Sequence, residues 1–593
     1  MSALYFLTYL ALAAGPLDSS GAARKLYDEW QVEDAAQVAS QVLINQPKDD
    51  GAWLLVARLL HSRGEHLAAL KILGDLDKSS GHEGDDIRPM VASSAQYEPF
   101  FAALETTHFR IHYIDKDEIV ATYAMPVLES AYTHIGAALG LLPAERGEKI
   151  VVEIYPDSRA LAGATGLTQA EIETSGTIAV CKFHRLMIIS PLATSSGYAW
   201  ADTLAHELTH LIIAKKSHNT APIWLHEGIA KYYESAWKGA PGQDWEPSSE
   251  TMLEEAVKHN KLVTFSQMHP SMAKLSSQEE AALAFAEVFT VIEYINKVAH
   301  ADAVPKILAA AGSGETLDEA FMQVTGRTMT QIEQDWRKYL HTRHVTTHGN
   351  ATLHKVVFGK KEEHDEAGHT LEPIADKQVS EHARLGELLS MRGHAAAAVV
   401  EYEKAYTRAQ MRYPTLVYQL VRAYLDAGMA DAAKAPLDAA LKEHGDDGDL
   451  RLLAGRLAMS QHDAARATVQ YEAARLQNPY NPEIHHALAA LYDQAAHPEA
   501  AKEERHFLDL TREVRVAHHY QAAATASATT GVTIVTLMWK PVRIDGGVDL
   551  PSPIWRMPLA AGEHGVEFAR ADGKLEHRSF QVTAGKITTL VLR

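Results

Sequence analysis

Strand-like and helix-like hydrophobic periods alternate between residues 106 and 343. Short runs of alternating apolar and polar positions predict strands, whereas apolar residues three and four apart predict amphipathic helices. Strands are predicted at 109–113, 149–155, 177–181 and 185–189, and helices at 118–141, 200–215, 284–295 and 316–340. The alternation predicts an α+β domain over about 96–345.

A small residue recurs with a period of about 34 on both sides of this domain. Its positions are Ala35, Ala69, Ala398, Ala433, Ala467 and Ala501. Each unit is predicted to be two amphipathic helices, because small residues let helices approach closely while larger neighbours fill the gap. Gly64, Gly393 and Gly428 stand where the helices of a unit should be joined.

This period resembles the tetratricopeptide repeat, whose stacked hairpins form a solenoid with a concave surface for peptides or proteins. The resemblance implies repeat segments at 20–78 and 379–518 that bind protein partners; a helical array without a ligand is the alternative. Arg505 occupies an apolar position of the fourth unit, which is therefore expected to be the polar cap of the array. Linkers are predicted at 76–95 and 346–378, where Gly, Ser and charged residues replace periodic patterns.

The last 60 residues change to short β-rich runs, which predict a small all-β sandwich over 532–593. Its predicted strands are 532–539, 542–544, 565–568, 579–582 and 587–592. The order of Pro541, Ile-Asp-Gly at 544–546, Pro553, Gly-Glu-His at 562–564 and Gly585 resembles the PEGA domain, a surface-associated β module. That resemblance implies association with the cell envelope.

The composition fits a soluble protein of several domains, with 593 residues, 46% hydrophobic and 22% charged. A net charge of −20 opposes binding to a phosphate backbone, so nucleic acid is not an expected partner. Cys181 is the single cysteine, which excludes an intrachain disulfide and a cysteine-based zinc knuckle.

The first residues contain an apolar stretch, 3–14, that ends in small side chains. We expect residues 1–19 to be a signal peptide and the protein to be extracytoplasmic, in the periplasm or cell envelope. No Lys or Arg precedes the stretch, so a buried first helix in a cytoplasmic protein is the alternative. The stretch is too short to cross a bilayer, and no transmembrane segment is expected in the mature chain.

The helix predicted at 200–215 contains the sequence His206-Glu207-Leu208-Thr209-His210. Residues four apart on a helix lie above one another, so both imidazoles can reach one metal ion. Glu207 is rotated about 100° from His206 and lies beside such a metal. A catalytic zinc takes three protein ligands and keeps one position for water, and Glu227, on the next predicted helix, is the natural third ligand.

The pairing of His-Glu-Leu-Thr-His with Trp224-Leu-His-Glu-Gly-Ile-Ala-Lys-Tyr-Tyr-Glu234 resembles gluzincin metallopeptidases, and more closely their peptidase-MA-like domains. The resemblance implies a zincin-like fold and one zinc ion per chain, held by His206, His210 and Glu227. It also implies peptide-bond hydrolysis by a zinc-activated water, with Glu207 as general base. We expect the strand at 177–181 to border the cleft and to pair with an extended substrate.

Two positions depart from the family pattern. Lys231 stands where a carboxylate often orients a ligand histidine, so Glu234 and Asp202 are considered for that role. Phe285 stands where a tyrosine is often found, which leaves the oxyanion stabiliser unassigned. The considered stabilisers are Tyr232, Tyr233, His218 and Tyr294.

Two functions follow from the sequence. The first is a zinc metallopeptidase whose repeats recruit a protein substrate or partner. The second is a non-catalytic repeat scaffold that retains a peptidase-like binding domain. Lys231 and Phe285, which depart from the family pattern, favour this alternative. We favour the enzyme because the base and the three ligands are all present.

Overall fold

The structure is a computed structural model of the 593-residue chain. It describes residues 19–80, 86–141, 148–194, 197–239, 241–242, 247–269, 271–343, 356, 358, 374, 376–409, 413–445, 447–512, 530–536, 540–550, 552–570 and 574–592. The predicted signal peptide therefore lies, apart from Ser19, outside the described residues. No helix in the described part of the chain is long and apolar enough to cross a membrane.

The first helices of the described part of the chain form two helical hairpins, here called the N-terminal array. Its helices are α1 Ser20–Asp28, α2 Val32–Asn45, α3 Asp50–Ser62 and α4 His66–Ser80. The repeated alanines Ala35 and Ala69 are fully buried, and Gly64 turns the chain between α3 and α4 with a φ of +77°. The helical hairpins predicted from the period are therefore confirmed at this end of the chain.

The central domain combines a five-stranded sheet with helices. The strands are β1 Ala102–Glu105, β2 Phe109–Tyr113, β3 Ile150–Tyr155, β4 Ala179–Lys182 and β5 Arg185–Ile189. The helices are α5 Arg88–Ala95, α6 Glu118–Leu139, α7 Ser158–Thr165, α8 Gln169–Ser175, α9 Trp200–Lys216, α10 Ile223–Tyr233, α11 Pro247–Lys258, α12 Gln278–Ala299, α13 Ala303–Gly312, α14 Leu317–Thr325 and α15 Met329–Leu340.

The strand order of this sheet is β1-β2-β3-β5-β4. Strands β2, β3 and β5 run parallel, whereas β1 and β4 pair antiparallel at the two edges. The predicted edge position of the 177–181 segment is thus confirmed, with the strand beginning at Ala179. The helix predicted at 316–340 is instead two helices, because Gly326 ends α14 in the left-handed region and Thr328 caps α15.

Eight further helices form the C-terminal array. They are α16 Lys377–Met391, α17 Ala395–Ala409, α18 Pro414–Asp426, α19 Ala430–Glu443, α20 Gly448–Ser460, α21 Ala464–Arg475, α22 Pro482–Gln494 and α23 Pro498–Arg512. The four periodic alanines are fully buried. A Cβ at Gly386 would lie 2.8 Å from the Tyr402 ring, and one at Gly455 would lie 2.9 Å from the Tyr471 ring, so glycine here admits the aromatic side chain of the next helix.

The last segment forms two three-stranded sheets that share one apolar core. Its strands are β6 Gly531–Thr536, β7 Val542–Ile544, β8 Ile554–Pro558, β9 Gly562–Ala569, β10 Leu575–Val582 and β11 Ile587–Leu592. The strand β8 was not expected from the sequence. Val535 of β6 is buried in the core of the N-terminal array, so the C-terminal β segment packs on this array.

The linker expected at 76–95 is wrong in part, whereas the one expected at 346–378 stays a prediction. Helix α4 continues to Ser80, and α5 follows with Val91 and Ala95 buried, because small side chains let this short helix pack closely against its neighbours. Most of 346–378 lies outside the described residues, but Val356 contacts the central domain through its N–H, which donates to Gln278 Oε1 at 2.9 Å.

The expected polar cap of the C-terminal array is also wrong. Arg505 is exposed, but Phe507 of the same helix is buried in the core of the central domain. The Tyr123 hydroxyl of α6 donates to Glu504 at 3.0 Å, and Arg475 lies over the Tyr123 ring. The fourth unit therefore ends the array by docking on another domain, which requires a mixed apolar and charged face.

Candidate metal centre

The helix α9 has an apolar face and a second face that carries the histidines. Leu204, Leu208 and Ile212 are fully buried at helical spacing, which fixes the rotation of the helix against the domain core. His206 and His210 keep 12% and 15% of their side-chain surface exposed. Their rings lie 4.8 Å apart between centroids.

The helix α10 brings Glu227 to this face by packing closely on α12. A Cβ at Gly228 would lie 2.8 Å from the carbonyl oxygen of Val288, a main-chain atom that cannot move aside easily. The glycine that follows Glu227 therefore lets α10 approach α12. Trp224, Leu225 and Ile229 are buried on the same helix and hold its orientation.

Glu227 lies between the two imidazoles. Its Oε2 is 3.3 Å from Nε2 of His206 and 3.3 Å from Nε2 of His210. Two ligands about 2.1 Å from one ion at a tetrahedral angle are separated by about 3.4 Å. The donor atoms of the three residues lie within 4.8 Å of one another, so the donor set and its spacing fit a zinc ion.

Each histidine uses its other ring nitrogen to contact a neighbouring side chain. His206 Nδ1 lies 3.2 Å from Glu234 Oε2, and Glu234 also pairs with Lys231 at 2.5 Å. Nδ1 of His210 lies 3.4 Å from Nδ1 of His226. A histidine that binds metal through Nε2 carries its proton on Nδ1, so Glu234 and the neutral form of His226 are suitable acceptors.

The electrostatics of the cluster suit a cation. Burial alone would raise the pKa of Glu227, but the adjacent imidazoles of His210 and His206 outweigh burial and hold that pKa well below its usual value. Burial alone would lower the pKa of His206, yet Glu227 and Glu234 raise it to about 10. Burial, with His210 nearby, lowers the pKa of His226 to about 3. The carboxylates therefore carry the negative charge that attracts a cation.

Glu207 lies beside the three-residue cluster and does not belong to it. It is 6% exposed, and its Oε2 has no hydrogen-bond partner among the described residues. Burial raises the pKa of Glu207, while the neighbouring histidines act in the opposite direction. An unpartnered buried carboxylate oxygen is costly unless a ligand or water occupies it, as expected of a proton acceptor.

The cluster opens into a cleft of about 740 Å³. Residues 177–182, which include the edge strand β4, line one part of this cleft. Because the N–H of Ile189 donates to the carbonyl of Ile178, alternation turns the main-chain groups of Ala179 and Cys181 away from β5, towards the open edge. The N–H of Cys181 donates to the Glu207 carboxylate. The remaining main-chain groups of this edge can pair with an extended peptide.

The structure separates the residues that were considered for supporting roles. The Asp202 carboxylate bonds elsewhere, because it accepts hydrogen bonds from Trp237 Nε1 at 2.7 Å and Lys238 Nζ at 3.0 Å. Phe285 lines the cleft with its ring 6.0 Å from that of His206. A phenyl ring has no N–H or O–H group that could donate a hydrogen bond to an oxyanion.

None of the four considered oxyanion stabilisers is among the described residues that line the cleft. The ring of Tyr232 packs on Phe289, and that of Tyr294 packs on Tyr339, each at 5.4 Å. Tyr233 is buried on the same helix as Tyr232, and His218 lies in the turn that follows α9. The three tyrosines therefore pack within the domain and not along the described cleft lining.

Two histidines in the cleft were missed from the sequence. His226 precedes Glu227 directly, and only the packing of α10 on α9 shows that it meets His210. His269 lies on the loop between α11 and α12, is exposed and lines the cleft. No spacing signal links it to the motif 59 residues earlier, so it could be found only in three dimensions.

One comparison with known proteins, that with family profiles, matches the central domain. None of the curated proteins compared with the chain is significantly similar to it. Among solved structures, a chain from the crystal structure of the APC/C hetero-tetramer Cut9–Hcn1 aligns at 14% identity over 86% of this chain and 96% of its own length, with a TM-score of 0.21 that supports no conclusion on the fold. The profile of the Peptidase MA superfamily matches residues 139–342, which include α9 and α10, and so identifies a domain of that superfamily within the chain.

Proposed function

We propose that the chain is a zinc-dependent peptidase of the gluzincin type, with His206, His210 and Glu227 as the ligands of one zinc ion. The observation that carries this proposal is the position of Glu227 Oε2, 3.3 Å from Nε2 of both histidines. The match of the Peptidase MA superfamily profile to 139–342 supports it.

When bound, zinc activates a water for attack and polarises the scissile carbonyl. The other steps belong to residues of the chain. Glu207, which lines the same cleft as the three ligands, accepts a proton from the attacking water and delivers it to the leaving amine. Glu234 and His226 keep the ligand imidazoles in one tautomer, and β4 holds the substrate main chain by strand addition.

His269 is proposed as the donor to the oxyanion. It is an exposed imidazole that lines the cleft and is not committed to the ligand cluster. A positioned donor of this kind contributes about 10²- to 10³-fold to kcat in other hydrolases. A His269→Ala variant that retained full kcat would contradict this role.

The helical arrays are proposed to recruit protein substrates or partners to the cleft. The C-terminal array is fixed to the central domain through Glu504 and Tyr123, and through the N–H of Tyr198, which donates to the carbonyl of Gln477 at 3.2 Å. A surface held at a fixed position can present a bound protein to one cleft. Location in the cell envelope is part of the proposal, and N-terminal sequencing of the mature protein tests it.

Metal analysis and peptide hydrolysis test the enzyme proposal together. We expect about one zinc per chain, cleavage of a peptide library, and loss of cleavage in Glu207→Gln with zinc retained. Asp202→Asn is the matched control, because Asp202 lies on the same helix but bonds to Trp237 and Lys238. Absence of zinc at neutral pH, or full activity in Glu207→Gln, would overturn the proposal and leave the scaffold function.

A further inference from the structure

The corner between α1 and α2 reaches the end of the cleft. This corner contains Trp30, which adopts a φ of +61°. Bulky residues rarely occupy the left-handed region, and such strained positions persist where surrounding contacts enforce them. Trp30 is half-buried, and it lines the same cleft as His206 and Glu227 although it belongs to the N-terminal array.

Hydrogen bonds from both sides fix this corner to the end of α9. Gln31 Nε2 donates to the carbonyl of Lys215 at 3.1 Å, and Lys215 Nζ pairs with Glu33 at 2.6 Å. Asn219, in the turn that connects α9 with α10, donates through Nδ2 to the carbonyl of Asp28 at 3.3 Å. Trp30 is therefore held against the elements that carry the proposed metal ligands.

The turn between β4 and β5 is held by the same corner. The ring of His184, in this turn, lies 4.3 Å from the ring of Trp30 and 4.5 Å from that of Tyr27. Since β4 borders the cleft, the N-terminal array both supports the edge strand and supplies part of the cleft wall.

The cleft-lining residues that come just before Lys215 and just after Asn219, the two residues bonded to this corner, are mainly apolar. Ala214, Ala221, Pro222 and Ile223 line the cleft on α9, on α10 and in the turn between them. The polar groups nearby are engaged elsewhere, because Lys182 Nζ donates to the carbonyl of Thr165 at 2.7 Å and the Asn219 amide donates to Asp28. An apolar side chain that binds there desolvates few polar groups and buries apolar area.

We propose that Trp30 is a specificity-determining residue whose indole forms the wall of a subsite for a large apolar side chain of an extended peptide. The N-terminal array is then a part of the substrate cleft. This inference rests on the proposed peptidase function and adds to it the class of substrate side chain accepted beside the β4–β5 turn.

The test is a cleavage profile over octapeptide mixtures in which one position at a time is varied, read by mass spectrometry. We expect the wild-type protein to prefer large apolar residues at one position. In Trp30→Ala the ratio of kcat/KM for Leu over Ala at that position should fall about tenfold, as expected when one wall of an apolar pocket is removed. Trp30→Phe should restore most of the ratio.

Tyr27→Leu is the matched control, because Tyr27 also contacts His184 but is not among the described residues that line the cleft. It should keep the preference, which separates a lost subsite wall from a loosened β4–β5 turn. An unchanged preference in Trp30→Ala, or an equal loss in Tyr27→Leu, overturns the inference.

A binding measurement keeps this test independent of turnover. The dissociation constants of the Leu and Ala peptides are measured by calorimetry on Glu207→Gln, with and without Trp30→Ala. If no peptide is cleaved by the wild-type protein, the proposed function fails, and the ratio of dissociation constants still decides on Trp30. If neither peptide binds Glu207→Gln, the inference fails as well.

Discussion

Glu234 Oε2 lies 3.2 Å from Nδ1 of His206, whose Nε2 faces Glu227. The carboxylate thus holds the imidazole in the orientation in which Nε2 points towards Glu227 and can bind a metal. Lys231, the residue that departs from the family pattern, pairs with this carboxylate at 2.5 Å and so holds Glu234 in place. The departure at position 231 is therefore compatible with an intact metal centre.

Replacing Glu234 should weaken zinc binding without removing a ligand. We expect Glu234→Gln to reduce the zinc affinity about 10- to 100-fold, because it removes the charged acceptor of the His206 Nδ1 proton. Competition with a chromogenic chelator measures this affinity. Asp202→Asn should leave it unchanged, since Asp202 bonds to Trp237 and Lys238. Equal affinities in the two variants would show that Glu234 does not support the ligand.

A proline at position 179 tests strand addition on the cleft edge. The alternation of β4 turns the N–H of Ala179 away from β5, so Ala179→Pro removes a group facing the substrate and leaves the ladder to β5 intact. We expect kcat/KM to fall about five- to tenfold, the effect of one hydrogen bond. Ala179→Val keeps the N–H and should be close to wild type. Zinc content should not change in either variant.

The buried ion cluster at Glu153 should hold the N-terminal array on the central sheet. Glu153 is fully buried, with His66 Nε2 at 2.6 Å and Arg185 Nε at 3.0 Å. Removing one charge leaves the other buried and unpaired, so Glu153→Gln should cost about 3–5 kcal/mol. Urea unfolding, followed by fluorescence, measures the shift.

The exposed Glu105, which pairs with Arg110 and Lys149 on the same sheet, provides the control. Glu105→Gln should cost less than about 1 kcal/mol, because solvent screens exposed ion pairs. A small effect in both variants would mean that the cluster at Glu153 does not stabilise the contact.

Glu287 gives the stability of the central domain a pH dependence. Burial raises its pKa from 4.5 to about 8, although the N–H of Val263 donates to its Oε1 at 2.8 Å. The folded protein then binds a proton that the unfolded chain releases above pH 4.5, so this group makes stability fall as pH rises from about 4.5 to about 8.

Glu287→Gln keeps the acceptor for Val263 but cannot ionise. We therefore expect the variant to gain thermal stability relative to the wild-type protein at pH 8 and to gain little or nothing at pH 4.5. Melting temperatures measured across this range check the difference. A constant difference at all pH values would contradict the proposed ionisation.

Much of the secondary structure could be predicted from the sequence, because hydrophobic patterns within one element depend only on residues that are close along the chain. The strand over 185–189 and the start of the helix at Trp200 agree with the sequence expectation, since each follows from a hydrophobic period within one element. The short helix α5 and the strand β8 were missed, because small residues and turn-rich flanks leave no clear period.

The sequence by itself determined that His206 and His210 share a helix face, because residues four apart lie above one another. It also indicated Glu227 by its motif, and the structure brings this residue to both histidines. Only the tertiary structure selected Glu234 over Asp202 and brought His226, His269 and Trp30 to the cleft. Such contacts depend on the packing angles of separate helices and on domain docking, which no spacing within one element specifies.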